Sequence, residues 1–198
     1  MPADLTAAAE LVVARTAGRP ATLGAGRLIC VDGPAGSGKT SLARAIADLT
    51  RAPVVHMDDL YPGWSGMRKA EPHVLGILRP LASGRPGAYR RYDWLAAEYE
   101  ELHVIGPGPL LVLEGVASGS PTWARWTTTL VWVQAPREER LRRGLERDGE
   151  GARDHWLAWM AEEEQLFAER RTAERADVVV DGTGAATPVV RDLSLIHI

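Results

Sequence analysis

Asparagine is missing altogether from this 198-residue chain, cysteine occurs once, and only two of its 23 basic residues are lysines. Without Asn the Asn-Lys-x-Asp guanine motif of ordinary GTPases cannot be written. The lone Cys30 excludes an internal disulfide framework and any cysteine-based zinc site; it reads as a small buried strand residue in a reducing compartment. No charge sign dominates: 23 Lys+Arg against 26 Asp+Glu leave a formal net charge of −3. No overall basic field therefore draws the chain onto nucleic acid or anionic membrane, and any anion has to be bound locally. No apolar run approaches the length of a membrane span. The stretch carrying Asp4 and Glu10 also lacks the basic start and apolar core of a secretory signal. The expectation is a cytoplasmic protein without nucleic-acid or membrane partners, with self-association left open.

The length suits one domain with a real core. Residues 3–17 read as a helix ending near Gly18-Arg19-Pro20, so residues 1–26 form an N-terminal helix and linker. Short apolar runs at 28–31, 53–57, 110–113, 130–133 and 178–180 have the continuous character of strands buried on both faces. Each is separated from the next by enough chain for a helical crossover. The predicted fold is therefore α/β, three-layered, with a parallel five-stranded sheet flanked by helices over residues 27–192. Between the second and third runs, about 60–108, Pro and Gly interleave with short helical pieces in a long excursion of the kind that houses substrate-binding segments. A charged helix runs from Pro136 to about Arg147, the stretch 148–152 breaks it, and a second helix continues to about Arg175. Residues 193–198 read as a non-native tail resembling a translated sequencing-adapter end, so His197 carries no functional weight.

The strongest local signal is Gly33-Pro34-Ala35-Gly36-Ser37-Gly38-Lys39-Thr40, which satisfies G-x-x-x-x-G-K-[ST] between a strand and a helix opening at Ser41. Glycines let main-chain N–H groups converge on phosphate oxygens, and the following helix presents its positive end there. Lys39 is expected on the β- and γ-phosphates of ATP, and the Thr40 hydroxyl on Mg²⁺.

Two carboxylates follow apolar strands at the same expected edge of the sheet, where ligands bind. Asp58, in His56-Met57-Asp58-Asp59-Leu60-Tyr61, is placed to orient a substrate hydroxyl, accept its proton and help hold Mg²⁺. Paired aspartates before a loop also serve as caps and turn formers. Glu114, in Leu113-Glu114-Gly115, has the Walker-B position and is a second candidate metal ligand. Along the charged helix, Arg140, Arg142, Arg143 and Arg147 alternate with Glu138, Glu139 and Glu146. Such a helix is either a solvated face or a flap, about 137–153, that carries guanidinium groups onto phosphate. Arg143 and Arg147 are the preferred functional pair. In the excursion, Tyr61, Arg90, Arg91, Tyr92 and Asp93 are candidate substrate-binding residues, through ring stacking and hydrogen bonds to hydroxyls. Trp94 serves equally as the start of an amphipathic helix, and Trp156 and Trp159 read as the buried stripe of the last helix.

Taken in order, Gly33 to Ser41, Asp58 to Tyr61, Tyr92-Asp93-Trp94, Glu114-Gly115 and the arginines near Arg147-Asp148 resemble the uridine kinase and phosphoribulokinase-like branch of P-loop kinases. The resemblance covers most of residues 27–182. It implies that Asp58 is the base, with Leu60 standing where the family has an aromatic, and that Arg143 to Asp148 match an R-x-x-R-D lid with one extra residue. The implied activity is ATP- and Mg²⁺-dependent phosphorylation of a small hydroxyl-bearing substrate, with a nucleoside as one candidate. A nucleoside monophosphate or another small metabolite is the alternative acceptor, and a nucleotide-dependent switch is the alternative of another class.

Overall fold

The apolar runs of the sequence form the middle of one sheet in a computed structural model that describes residues 3–191; the tail at 193–198 lies outside the described residues. In chain order the elements are α1 (Ala3–Ala17), β1 (Arg27–Asp32), α2 (Lys39–Thr50), β2 (Val54–His56), α3 (Glu71–Ala82), β3 (Gly87–Asp93), β4 (Glu98–Ile105), β5 (Leu110–Glu114), β6 (Thr129–Gln134), α4 (Arg137–Asp148), α5 (Arg153–Arg170), α6 (Thr172–Arg175), β7 (Val178–Asp181) and β8 (Val189–Val190). The main sheet has the order β2-β5-β1-β6-β7-β8. Its first five strands are parallel, as expected, and a short sixth, β8, adds antiparallel to β7. Two residues of β8 offer no periodicity to read, which is why a five-stranded sheet was expected.

Strand alternation divides the core. Ile29, Val31, Val112, Val131 and Val133 face α1 and α2, packing on Ala8, Val12, Leu42 and Ile46. Leu28, Cys30, Leu111, Leu113 and Trp132 face the opposite layer, where α3 and α5 supply Ile77, Leu78, Trp159 and Leu166. Period-two side-chain direction with apolar groups on both sides is what a doubly covered parallel strand requires. Cys30 is fully buried, and burial pushes its thiol up to about 12, so it is core rather than reactive.

The excursion departs from expectation. After α3, residues 87–105 form an antiparallel hairpin, with Ala88 opposite Val104 and Arg90 opposite Leu102. No amphipathic helix starts at Trp94: the chain turns there, with Asp93 accepting the N–H groups of Leu95 and Ala96 and Ala97 taking a left-handed φ of 57°. The final helix also stops earlier than expected, broken at Arg171, whose φ is 50°. Among the described residues no helix is long and apolar enough to cross a membrane.

The end of β1 is anchored by Asp32. Its Oδ1 accepts the N–H groups of Gly33 (2.7 Å) and Ala117 (2.9 Å), and its Oδ2 that of Gly119 (2.8 Å). The side chain is fully buried, and burial raises its carboxyl from 3.8 to about 6 despite those three donors. Between these values the folded protein keeps a proton that the unfolded chain has released, so this group's contribution to stability is lost as pH rises from about 4 through 6. Asp32→Asn removes that slope and sets an amide N–H₂ against a main-chain donor, destabilising the fold by about 1–3 kcal/mol at neutral pH. Thermal unfolding of both proteins from pH 4 to 7 checks this; parallel pH curves for the two would contradict it.

Candidate active site

The chain between β1 and α2 has to reverse while leaving part of its N–H groups free, and glycine makes that geometry available. Gly33 has φ 142°, and a Cβ there would sit 2.0 Å from the Val133 carbonyl oxygen of the neighbouring strand. The loop closes through Ser37 N–H to the Pro34 carbonyl (3.2 Å), and Lys39 Nζ donates to the same oxygen at 2.9 Å. Helix α2 then starts at Lys39 without any side-chain cap, so its first N–H groups are available to an anion.

Opposite stands Glu114 at the end of β5, only 3% exposed. It accepts the Thr40 hydroxyl (3.2 and 3.3 Å to its two oxygens) and His56 Nδ1 at 2.5 Å. That hydrogen bond raises the His56 pKa against the opposing effect of burial. The following Gly115 has φ 130°, and a Cβ there would meet Met57 Cβ at 2.6 Å, so glycine is required for β5 to turn away beneath β2.

Gly36, Gly38, Lys39, Thr40, Glu114 and Gly115 line a cavity of about 930 Å³ that also receives Asp58, Asp59, Arg143 and Arg147. The Asp58 side chain is reached by solvent through the cavity, yet protein surrounds it closely. That enclosure, with the Glu114 charge next in weight, raises its carboxyl pKa, while Lys39 and Arg147 act in the opposite sense. Lys39, Thr40, Asp58 and Glu114, read separately from the sequence, thus share one compartment.

Thr40 and Glu114 present hard oxygen atoms to one another beside the phosphate loop. Among the described residues there is no cluster of three or more His, Cys, Asp or Glu side chains able to hold a metal alone. Such a donor set fits Mg²⁺, which retains waters and shares its coordination with bound phosphate, better than it fits a metal needing a complete protein cage.

The arginines divide. Arg143 lies at the rim, donating to the Gly36 and Gly182 carbonyls (3.2 Å each) and to Glu139. Arg147 also reaches the cavity, but its guanidinium is held in a two-pronged pair with Asp148 (2.8 and 2.9 Å), which raises its pKa. Arg140, not singled out from the sequence, is the buried one, paired with Glu163 of α5 at 2.7 Å.

The candidate substrate residues are not brought to this cavity. Tyr61 is fully buried, its hydroxyl donating to the Val116 carbonyl and its ring edge-on to Trp159. Arg90 donates to the Glu100 carbonyl (2.6 Å) and Arg91 lies 3.9 Å from Glu101, both on the hairpin. Tyr92 packs edge-on against Trp94 and Tyr99, and Asp93 caps the hairpin turn. Their places are taken by indoles: Trp94, which reads as a helix start, Trp156 and Trp159, which read as core, and Trp64, which the sequence did not single out. Trp64, Trp94, Trp156 and Trp159 line the cavity beyond Asp58, with Trp64 at their centre, 5.5 to 6.4 Å from the other three. Trp156 and Trp159 are buried as expected, yet each contributes to this wall. The cavity is also lined by Leu5, by Arg143 and by the end of β7 with the segment that follows it, from Val180 through Gly184 to Pro188.

No protein-family model matches the chain, and no curated protein matches its sequence. Solved structures do match its fold. A structure described as a "possible uridine kinase" from Bacillus stearothermophilus shares 19% identity, over 88% of this chain and 97% of that one, with a TM-score of 0.59. One provisionally described as a fructose transport system kinase, from Silicibacter sp. TM1040, shares 21% over 87% and 94%, with a TM-score of 0.56. What the chain shares with these two structures is the fold.

If the loop and Lys39 receive a triphosphate, Lys39→Met removes charge-assisted hydrogen bonds and weakens Mg·ATP binding by about 10- to 100-fold while the fold persists. Isothermal calorimetry on the two proteins measures this; equal affinities would remove Lys39 from the site.

Proposed function

We propose that the protein is a kinase that transfers the γ-phosphoryl group of Mg·ATP to a hydroxyl group of a small molecule. The observation that carries the reading is the placement of Asp58 in the same cavity as Lys39, Thr40 and Glu114. A carboxylate beside a phosphate cradle has a task when the acceptor must lose a proton, and a phosphate acceptor needs no such base.

Each residue then has a defined part. The N–H groups of Gly36, Gly38 and the first turn of α2 hold the phosphates, and Lys39 swings from the Pro34 carbonyl to neutralise the β- and γ-oxygens. Thr40 and Glu114 would hold Mg²⁺, which supplies charge neutralisation when bound. Asp58 orients the acceptor hydroxyl and takes its proton; the protein around it and the Glu114 charge raise its pKa and so its affinity for that proton. The part of the cavity lined by Arg143 and residues 180–188 is assigned to the base and ribose of the nucleotide, and the indole-walled part to the acceptor.

The character of that part favours an acceptor without a phosphate of its own. Its nearest cation, Arg147, is occupied by Asp148, while Asp58 and Asp59 carry negative charge toward it. Four indoles offer flat apolar surface instead. A neutral ring-bearing alcohol, nucleosides included, suits these walls better than a nucleoside monophosphate.

Asp58→Asn is expected to lower turnover by about 10²- to 10⁴-fold while leaving Mg·ATP affinity within a few-fold of the parent. ADP release against a panel of nucleosides, sugars, other alcohols and nucleoside monophosphates supplies the readout. Undiminished turnover in the variant, or activity confined to the monophosphates, would overturn the assignment.

A further inference from the structure

Helix α5 crosses behind the phosphate loop, and it presents a carboxylate where its buried face is otherwise apolar. Trp156, Trp159, Glu163 and Leu166 follow the spacing of one helical face and are all buried, Glu163 to 1% exposure. Glu163 Oε2 accepts the N–H of Ala35, inside the phosphate loop, at 2.8 Å. Its Oε1 takes Arg140 Nη1 at 2.7 Å, and that nitrogen also lies 3.4 Å from the Ala35 carbonyl. Arg140 is fixed in turn by its Nε on the Ala135 carbonyl at 3.1 Å. At the next residue of the loop, a Cβ on Gly36 would come within 2.6 Å of the Arg140 carbonyl, so α4 and the loop are in direct backbone contact.

A phosphate cradle works by directing successive N–H groups at the ligand. Here one N–H of the loop is taken by a side chain whose other hydrogen-bond partner, among the described residues, is Arg140 alone. A buried carboxylate is costly to keep ionised, and burial does raise the Glu163 pKa; Arg140, Lys39 and the Ala35 N–H oppose that rise. A leucine or methionine would fill the same place on the helix at lower cost if packing were the only requirement. We propose that Glu163 is a positioning residue for phosphoryl transfer: its bond to the Ala35 N–H holds the first half of the phosphate loop in its ligand-ready shape, and Arg140 serves as its charge partner. Because Glu163 shares a face of α5 with Trp156 and Trp159, the same helix fixes the phosphate cradle and part of the acceptor wall.

The inference rests on the loop being a Mg·ATP site, and a pair of variants separates the two ideas. Glu163→Gln keeps an oxygen for the Ala35 N–H, whereas Glu163→Met fills the space without an acceptor. Both leave Arg140 without a counter-charge, and Glu163→Met also leaves the Ala35 N–H unpaired, so its melting midpoint should be the lower; the titrations are made at a temperature where both variants are folded. Calorimetric titration with Mg·ATP is expected to show Glu163→Gln binding at least about tenfold more tightly than Glu163→Met, the scale on which small displacements of positioned groups act. Acceptor-independent ADP release at saturating ATP should fall in the same order. Equal affinities in the two folded variants would overturn the positioning role. Failure of the parent protein to bind Mg·ATP would overturn the nucleotide site itself. If Arg140 left alone prevents folding, the comparison is made with Arg140→Met added to both variants, which restores an uncharged pair, and the same two outcomes decide.

Discussion

The arrangement of this protein depends on one buried carboxylate at the end of its central strand. Asp32 accepts the first N–H of the phosphate loop with one oxygen and binds the turn after β5 with both. The two polypeptide segments that must cooperate, 33–40 and 114–119, leave neighbouring parallel strands and would otherwise diverge. A rigid anion satisfying three orphan donors ties them together at their point of departure. The facing of Thr40 and Glu114 across about one hydrogen-bond length follows from it, since each lies on a segment whose origin is fixed to the other's. The elevated pKa of Asp32 shows that the arrangement works against the preference of a carboxylate for water.

Much of this was legible in the sequence, for identifiable reasons. Strands β1, β5, β6 and β7 announce themselves because both faces are covered, so their apolar runs are unbroken. The phosphate loop is legible because its glycines answer to local geometry, as at Gly33, where the adjacent strand leaves no room for a Cβ. Asp58 and Glu114 could be placed because the carboxyl ends of parallel strands lie at one edge of the sheet. What these signals share is that they depend on neighbours in sequence or on a rule of topology.

The hairpin and α5 were not legible in the same way. Pairing Arg90 with Leu102 is a choice made across a turn, and the alternation in residues 98–105 is blurred by exposure on both sides. The cluster at 89–94 looked like a binding surface because it is dense in aromatic and charged groups, yet the polar groups are spent within the hairpin. Glu163 was hidden for the opposite reason. A glutamate among Glu162, Glu164 and the arginines of a long helix reads as part of a wet face, and only its spacing of seven from Trp156 and four from Trp159 marks it as inward. Helical spacing is therefore the available signal, and the spacing that marks Trp156 and Trp159 as core marks Glu163 as inward too.

The hairpin residues still bear on the chemistry, through position rather than contact. Asp58 lies in a short 3₁₀ turn, Met57–Asp59, directly after a strand of three residues, which is little structure with which to aim a carboxylate. The hairpin compensates. Trp94 Nε1 donates to the Asp58 carbonyl at 3.0 Å, and the Tyr99 hydroxyl donates to that of Leu60 at 2.9 Å. Tyr61 binds the Val116 carbonyl, joining the same segment to the turn beyond Glu114. Two aromatic side chains thus fix the turn through its own backbone and a third ties it to the turn after β5, leaving the Asp58 carboxylate without a hydrogen-bond partner among the described residues and open to the cavity. A proposed base has to combine a fixed backbone with an uncommitted side chain, and the aromatic residues of the excursion provide the first condition without infringing the second.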